Sequence, residues 1–137
     1  MLKAIIIDDE PDCVKLLSLQ LKMYCPQVQV AATCTSSSDG YEKILDIKPD
    51  IVFLDIEMPV MNGFQLLEKI GNINFRLIFV TAYDQFAVKA FRFSALDYLL
   101  KPIDVEELQG CVQRFLESNE NYQQQYDLLK NIIHNIQ

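Results

Sequence analysis

The stretch IVFLDIEMP, residues 51–59, indicates most about how this chain folds. Four apolar residues, 51–54, predict a buried strand that stops at the carboxylate of Asp55, and Glu57 and Pro59 follow in a loop. An apolar strand that ends on a charge is costly unless the charge has a partner or a function. We therefore ask whether other strands of this chain end on polar residues and whether those residues meet.

Outward from this stretch, short apolar runs alternate with segments of helical period. The predicted strands are residues 3–7, 28–33, 51–54, 76–80 and 95–100. The predicted helices are residues 11–24, 37–47, 64–70, 85–93 and a last one capped by Asp104 that runs to about residue 116. Five strand–helix units in strict alternation predict an α/β fold, a doubly wound five-stranded parallel sheet with helices on both faces.

Composition excludes several classes of protein. The chain has 137 residues, 50% of them hydrophobic, which is enough for one domain with a core. The net charge of −7 argues against non-specific nucleic-acid binding by this piece. No signal peptide and no membrane-length apolar run is apparent. Four scattered cysteines and one distant histidine predict no zinc site, and suggest reduced core thiols of a cytosolic protein.

Polar residues follow the strands where the strands end. Asp8 and Asp9 follow the first strand, Asp55 the third, Thr81 the fourth and Lys101 the fifth. With strand order 2-1-3-4-5, the first and third strands are neighbours roughly 4.8 Å apart, so the three carboxylates converge at the edge where such sheets bind ligands.

Three converging carboxylates repel one another and need positive charge. Lys101 offers one charge, and a hard divalent cation with oxygen ligands, Mg²⁺, offers two. A carboxylate, the predicted metal, the Thr81 hydroxyl and a fixed ammonium are together the groups needed for phosphoryl transfer to aspartate.

In these motifs the chain resembles response-regulator receiver domains. The match covers residues 1 to about 117 and includes IIIDDEP, IVFLDIEMPVMNG, LIFVTAYD and ALDYLLKPI in order. The stretch FVTAYDQFAVKAFRFSALDYLLKPI, residues 79–103, is similar in particular to the LytTR (LytR/AlgR-type) transcriptional regulators. The resemblance implies the flavodoxin-like receiver fold with strand order 2-1-3-4-5.

The resemblance also implies a metal and acceptor site. Asp55 matches the phospho-acceptor, and Asp8 and Asp9 match the acidic pair that holds Mg²⁺ (or Mn²⁺). Asp55 itself and the backbone carbonyl of Glu57 complete the implied protein ligands.

A second group of residues matches the phosphoryl-binding and switch positions. Thr81, Ala82 and Lys101 match the residues that bind the phosphoryl group. Thr81 and Tyr98 match the switch pair, in which the aromatic ring turns inward when the threonine moves. The Lys101–Pro102 bond is expected to be cis.

As a receiver, the domain would be phosphorylated on Asp55 by a sensor histidine kinase in the cytoplasm. Phosphorylation would switch the surface of the fourth helix, fifth strand and fifth helix, and so control homodimerisation and transcription. It would not be an enzyme beyond assisting its own phosphorylation and dephosphorylation, and no membrane contact is expected.

We expect a receiver domain over residues 1–117 and a linker helix over 118–137 that leads to a DNA-binding domain outside this chain; a stand-alone receiver is the alternative. The tail has an apolar stripe at helical spacing, formed by Tyr122, Tyr126, Leu129, Ile133 and Ile136. A dimer seam, a helix docked on its own domain and a frayed end remain open for it.

Three other functions compete with this interpretation. A haloacid-dehalogenase-type phosphatase would use a strand-end Asp, but Glu57 and Pro59 stand where its motif needs Asp and Thr or Val. A nucleotide- or flavin-binding module would need a phosphate-cradling glycine loop, which is absent. A degenerate receiver would lack site residues, and all of them are present here.

Overall fold

The computed structural model describes residues 1–82, 97–117 and 127. Within them the strands are β1 (Leu2–Ile7), β2 (Val28–Cys34), β3 (Ile51–Leu54), β4 (Arg76–Thr81) and β5 (Asp97–Leu100). The helices are α1 (Pro11–Tyr24), α2 (Ser37–Ile47), α3 (Gly63–Ile70) and the Val105–Glu117 helix. None of the helices in these ranges is long and apolar enough to cross a membrane.

The five strands form one parallel sheet in the order β2-β1-β3-β4-β5, as the sequence predicts. Ile7 pairs with Leu54 across β1 and β3, and Leu54 pairs with Phe79 across β3 and β4. These registers align the last residues of β1 and β3 with Phe79, two residues before the end of β4. The polar residues that follow therefore emerge side by side at one edge of the sheet.

Each face of the sheet buries its own apolar cluster. Against α2 and α3 lie alternate residues of the central strands, with Val52, Leu54 and Phe79 all fully buried. Against α1 and the Val105–Glu117 helix lie the intervening residues, among them Phe53 and Ile78. Burial on both faces explains why the strands are continuously apolar and do not alternate with polar residues. This burial also holds β3 rigidly in place, and Asp55 directly follows its last residue.

The predicted elements match the observed ones to within a residue or two where the structure describes them. The predicted helix at 85–93, residues 95–96 of the fifth strand and the tail stripe at 122–136 lie outside the described residues. Cys25, Cys34 and Cys111 are buried free thiols, as predicted, whereas Cys13 is only half-buried.

Local caps hold the loops that surround the site. Asn62 and Gln65 form a capping box at the start of α3, with N–H···O distances of 2.9 Å in both directions. Gly63 follows directly, and a Cβ there would lie 2.6 Å from the carbonyl oxygen of Asp55. Glycine is thus required for α3 to begin against the backbone of Asp55. At the other helix, the Asp104 carboxylate accepts from the Glu107 N–H at 3.1 Å, as predicted.

Candidate functional site

The ends of β1 and β3 bring three carboxylates together. Asp8 and Asp55 are each 3% exposed, and Asp9 is half-buried. One carboxylate oxygen from each of the three lies within 4.8 Å of the others. The backbone holds this arrangement, because the Asp55 N–H donates to the Ile7 carbonyl at 3.0 Å and the Asp8 N–H donates to the Cys34 carbonyl at 3.0 Å. The cluster therefore rests on rigid strand ends.

Lys101 lies across the same cluster, at the end of β5. Its Nζ is 2.8 Å from Asp8 Oδ2, 3.5 Å from Asp55 Oδ2 and 3.6 Å from Glu10 Oε1. The peptide bond to Pro102 is cis, as expected. The Lys101 N–H donates to the Thr81 carbonyl at 2.9 Å, which ties this loop to the end of β4. One ammonium thus serves several carboxylates.

The electrostatics of the cluster show an excess of negative charge. The pKa of Asp55 is raised to about 7, first by burial and then by the charge of Asp8, while Lys101 and the Glu57 N–H partly oppose the shift. Burial alone would lower the pKa of Lys101, but its hydrogen bond to Asp8 and the charges of Asp55 and Asp8 raise it above its ordinary value. Without a further cation, one lysine does not fully stabilise the ionised form of Asp55.

The donor set of this cluster fits a hard divalent cation. Asp8, Asp9 and Asp55 offer carboxylate oxygens within reach of one ion, and neither His nor Cys belongs to this group. Mg²⁺ and Mn²⁺ take oxygen ligands, and a protein site that supplies a few carboxylates leaves room for waters and a phosphate. The charge excess around Asp55 supports the same fit.

The remaining predicted residues surround the acidic cluster. Thr81 is fully buried at the end of β4, and Ala82 beside it is exposed. Glu57 is exposed, and its N–H donates to Asp55 Oδ1 at 3.4 Å. Tyr98 pairs with Phe79 in the sheet and is half-buried against the cluster on the α2 and α3 face. The structure thus places Thr81 and Ala82 at the same sheet edge as Asp55, whereas Tyr98 lies within β5.

Sequence reasoning missed two contributors to the site. Glu10 is a third carboxylate within ion-pair distance of Lys101, and its N–H donates to Asp8 Oδ1 at 3.0 Å. Gly63 provides the close approach of α3 to Asp55. The signal for Glu10 was its position directly after two acids, and the signal for Gly63 was an isolated glycine at a helix start.

Comparison with known proteins gives the class. The family model described as the response regulator receiver domain matches residues 4–113. The chain belongs to this family, and it is a receiver domain of a two-component response regulator. Receiver domains are signalling domains that interact with histidine kinases. This family membership also decides against the phosphatase and nucleotide-binding alternatives.

Two curated relatives are named sensory transduction or regulatory proteins of bacteria. The chain is 39% identical over 112 residues to the sensory transduction protein LytT of Enterococcus faecalis, covering 80% of this chain and 46% of that protein. It is 36% identical over 118 residues to the transcriptional regulatory protein BtsR of Escherichia coli, covering 83% and 48%. The chain spans about half the length of the curated relatives it matches. The similarity to LytT fits the LytTR-type resemblance.

Solved structures agree on the fold. The response regulatory domain of protein mrkE from Klebsiella pneumoniae superposes with a TM-score of 0.72 at 28% identity, covering 84% of this chain and 95% of that one. A LuxR-family DNA-binding response regulator from Staphylococcus aureus superposes with a TM-score of 0.72 at 26% identity, covering 84% and 98%.

Proposed function

We propose that Asp55 is the phospho-acceptor of this receiver domain and that a sensor histidine kinase is its donor. The observation that carries the proposal is the geometry around Asp55. Its carboxylate lies at the end of a rigid buried strand, within 4.8 Å of the Asp8 and Asp9 oxygens and 3.5 Å from Lys101 Nζ. Such an excess of buried negative charge favours the binding of a cation, and Lys101 beside it can pair with a phosphoryl group.

The reaction follows from these positions. An Asp55 carboxylate oxygen attacks the phosphorus of a phosphohistidine, an acyl phosphate bond forms, and the phosphorus–nitrogen bond breaks with its electron pair left on the imidazole, which takes up a proton. Lys101 neutralises charge on the phosphoryl oxygens. When bound by Asp8, Asp9, Asp55 and the Glu57 carbonyl, Mg²⁺ (or Mn²⁺) would supply the rest of that neutralisation.

Phosphorylation would then change the surface of the domain. The Thr81 hydroxyl and the backbone at the small residue Ala82 would bind the phosphoryl oxygens, and Lys101 would stay paired with them. The movement of Thr81 would open space for the Tyr98 ring to turn inward. This would bias the surface formed by the predicted 85–93 helix, β5 and the Val105–Glu117 helix between two states.

The output would be assembly and transcription. We propose that the phosphorylated domain forms a homodimer through this surface, with residues 118–137 as a linker helix to a DNA-binding domain. The names of the relatives LytT and BtsR and the half-length match support a longer regulator of transcription. Such a regulator would act in the cytoplasm.

The test of this proposal is the intact mass of the protein after incubation with acetyl phosphate. We expect one phosphate adduct in the presence of Mg²⁺, and none with EDTA or in Asp55→Ala. The matched control is Asp46→Ala, which removes an exposed aspartate of α2 far from the strand ends and should leave the adduct unchanged. The chain has no tryptophan, so mass is a more direct readout than fluorescence.

Two results would contradict the proposal. An adduct that persists in Asp55→Ala would place the acceptor elsewhere. A folded wild-type protein that acquires no phosphate from acetyl phosphate or a phosphorylated kinase would indicate a receiver that works unphosphorylated. If the adduct forms, size-exclusion chromatography of the phosphorylated protein tests dimerisation separately.

A further inference from the structure

A cavity of about 360 Å³ lies beside Lys101, on the α1 side of the sheet. Its walls include Ile6, Leu17, Phe53, Val80 and Ile103. These side chains belong to the sheet, α1 and the loop after Lys101, and none of them has a role in the proposed phosphorylation. The cavity is therefore an apolar extension of the acidic cluster, and Asp8, Ala82 and Lys101 of the proposed phosphorylation site form the part of its wall where the two meet.

The apolar surface of this chamber continues to the solvent. Leu16 of α1 also lines the cavity and is 48% exposed. Leu17, Phe53 and Val80 behind it are almost fully buried. A volume of this size is within the range of small-molecule sites, roughly 300–1,000 Å³. A compact apolar molecule in the cavity would remove both the wall and the exposed leucine from water.

The polar part of the lining has a definite charge. Asp8, Glu10, Cys13 and Lys101 all line the cavity, and donor atoms of the first three lie within 4.8 Å of one another. Among the described residues that line the cavity, Lys101 is the one cationic side chain, and its Nζ also lies 3.5 Å from Asp55 Oδ2. The carboxylates of Asp8 and Glu10 thus share one ammonium, which also pairs with Asp55. This favours a ligand with a positive charge.

We propose that this cavity binds a compact apolar molecule with one cationic group, of the arylalkylamine class, and that its occupancy slows phosphorylation of Asp55. The ammonium of the ligand would compete with Lys101 and with the metal for Asp8, on which both depend. The effect on phosphorylation rests on the proposed function; the binding does not.

Binding is tested by ¹⁵N–¹H correlation spectra during titration. The probe is N,N-dimethyl-2-phenylethylamine, a tertiary amine that acetyl phosphate does not acylate. Its matched anion is 3-phenylpropionate, which has a similar apolar body and the opposite charge. We expect the amine to shift the amide signals of Leu16, Leu17 and Ile103, and the anion to bind at least tenfold more weakly. Equal affinity for the two molecules would overturn the charge assignment.

Three variants on α1 test the location. Cys13→Phe should fill the cavity from its half-buried wall and weaken amine binding at least tenfold. Leu16→Ala should weaken it severalfold because the rim loses apolar surface. Leu19→Ala is the matched control: Leu19 is 53% exposed on the same helix and does not line the cavity, so binding should be unchanged. Unchanged affinity in Leu16→Ala would overturn the proposal even if Cys13→Phe does not fold.

The effect on phosphorylation is measured as the rate of adduct formation with acetyl phosphate and Mg²⁺. A saturating amine should slow the wild-type protein severalfold and leave the Leu16→Ala protein, at the same amine concentration, less inhibited. Binding without any change in rate would overturn the regulatory part of the proposal. Absence of an adduct even without amine would instead overturn the proposed function, and the binding result would stand by itself.

Discussion

The two edges of the sheet each hold an ionic cluster with buried members, and among the residues that the structure describes acids outnumber bases in one cluster and bases outnumber acids in the other. At the edge where the strands end, the carboxylates of Asp8, Asp9 and Asp55 converge, and the ammonium of Lys101 pairs with Asp8 and Asp55. At the edge where β4 and β5 begin, Asp97 pairs with two arginines of the described residues: Asp97 Oδ2 lies 2.6 Å from Arg76, and Asp97 Oδ1 lies 2.9 Å from Arg114.

This difference distinguishes a structural cluster from a functional one. Arg76 is 2% exposed and its charge is met within the protein by Asp97. Asp55 is buried to a similar degree, but its pKa is raised to about 7 because burial and the charge of Asp8 outweigh Lys101. A buried ion pair that is complete needs nothing more. A buried acid cluster with an excess of negative charge is suited to bind a cation.

The largest expected effect is at the complete cluster, which Arg76, Asp97 and Arg114 form. Asp97→Ala removes the carboxylate that lies 2.6 Å from the buried Arg76 guanidinium and should lower the free energy of unfolding by about 3–5 kcal/mol. Urea unfolding in EDTA measures the change, with the exposed Asp46→Ala as control. If Asp97→Ala loses less than about 1 kcal/mol of its free energy of unfolding, the Arg76–Asp97 pair is not the structural ion pair described above.

The next effect is the response to metal at the incomplete cluster, which Asp8, Asp9, Asp55 and Lys101 form. Mg²⁺ at about 100 times its dissociation constant should stabilise the wild-type protein by about 2.7 kcal/mol. Thermal unfolding with and without Mg²⁺ measures this. Asp9→Ala should lose most of the response, and Asp46→Ala should keep it. An unchanged melting temperature across millimolar Mg²⁺ would contradict the metal site.

The third effect is the pH dependence of stability without metal. Because the pKa of Asp55 is raised from 3.8 to about 7 on folding, the folded state binds its proton more tightly than the unfolded state does. The stability from this group is complete below about pH 4 and is lost as the pH rises to about 7.

Asp55→Asn removes that titration. In EDTA at pH 8 the variant should therefore be more stable than the wild type by about 1–3 kcal/mol, and the difference should shrink as the pH falls towards 4. Parallel urea titrations of the two proteins measure the difference. A variant that is less stable than the wild type at pH 8 would refute the charge excess.

The smallest effect is expected at the solvent side of the complete cluster. The Arg114 side chain is 57% exposed, and Arg76 remains paired with Asp97 when it is removed. Arg114→Ala should cost no more than about 1 kcal/mol in urea unfolding. A loss as large as that of Asp97→Ala would mean that Asp97 depends on both arginines equally.

The incomplete cluster could be predicted from the sequence because strand order and register place its residues. Once the alternation indicated a parallel sheet, Asp8 and Asp55 had to emerge together at the ends of neighbouring strands. The strand bounds were also predictable, since burial on both faces makes each strand a continuous apolar run.

The complete cluster could not be predicted in the same way. In the sequence Asp97 is only an interruption of an apolar strand, and its partners lie 21 residues before it and 17 after it. Which arginine reaches it depends on side-chain packing beneath the Val105–Glu117 helix. The roles of Thr81 and Tyr98 stay predictions, because they concern a change between two states.

The measurement that tests the incomplete cluster most directly is calorimetric titration of the protein with Mg²⁺ in buffers of different ionisation enthalpy. Because the pKa of Asp55 is about 7 without metal, Mg²⁺ binding at pH 6 should release most of a proton, and binding at pH 9 should release almost none. Asp55→Asn should release no proton from this site at either pH, and Asp97→Asn should behave as the wild type if it folds. Absence of Mg²⁺ binding, or binding at pH 6 without proton release, would contradict the account.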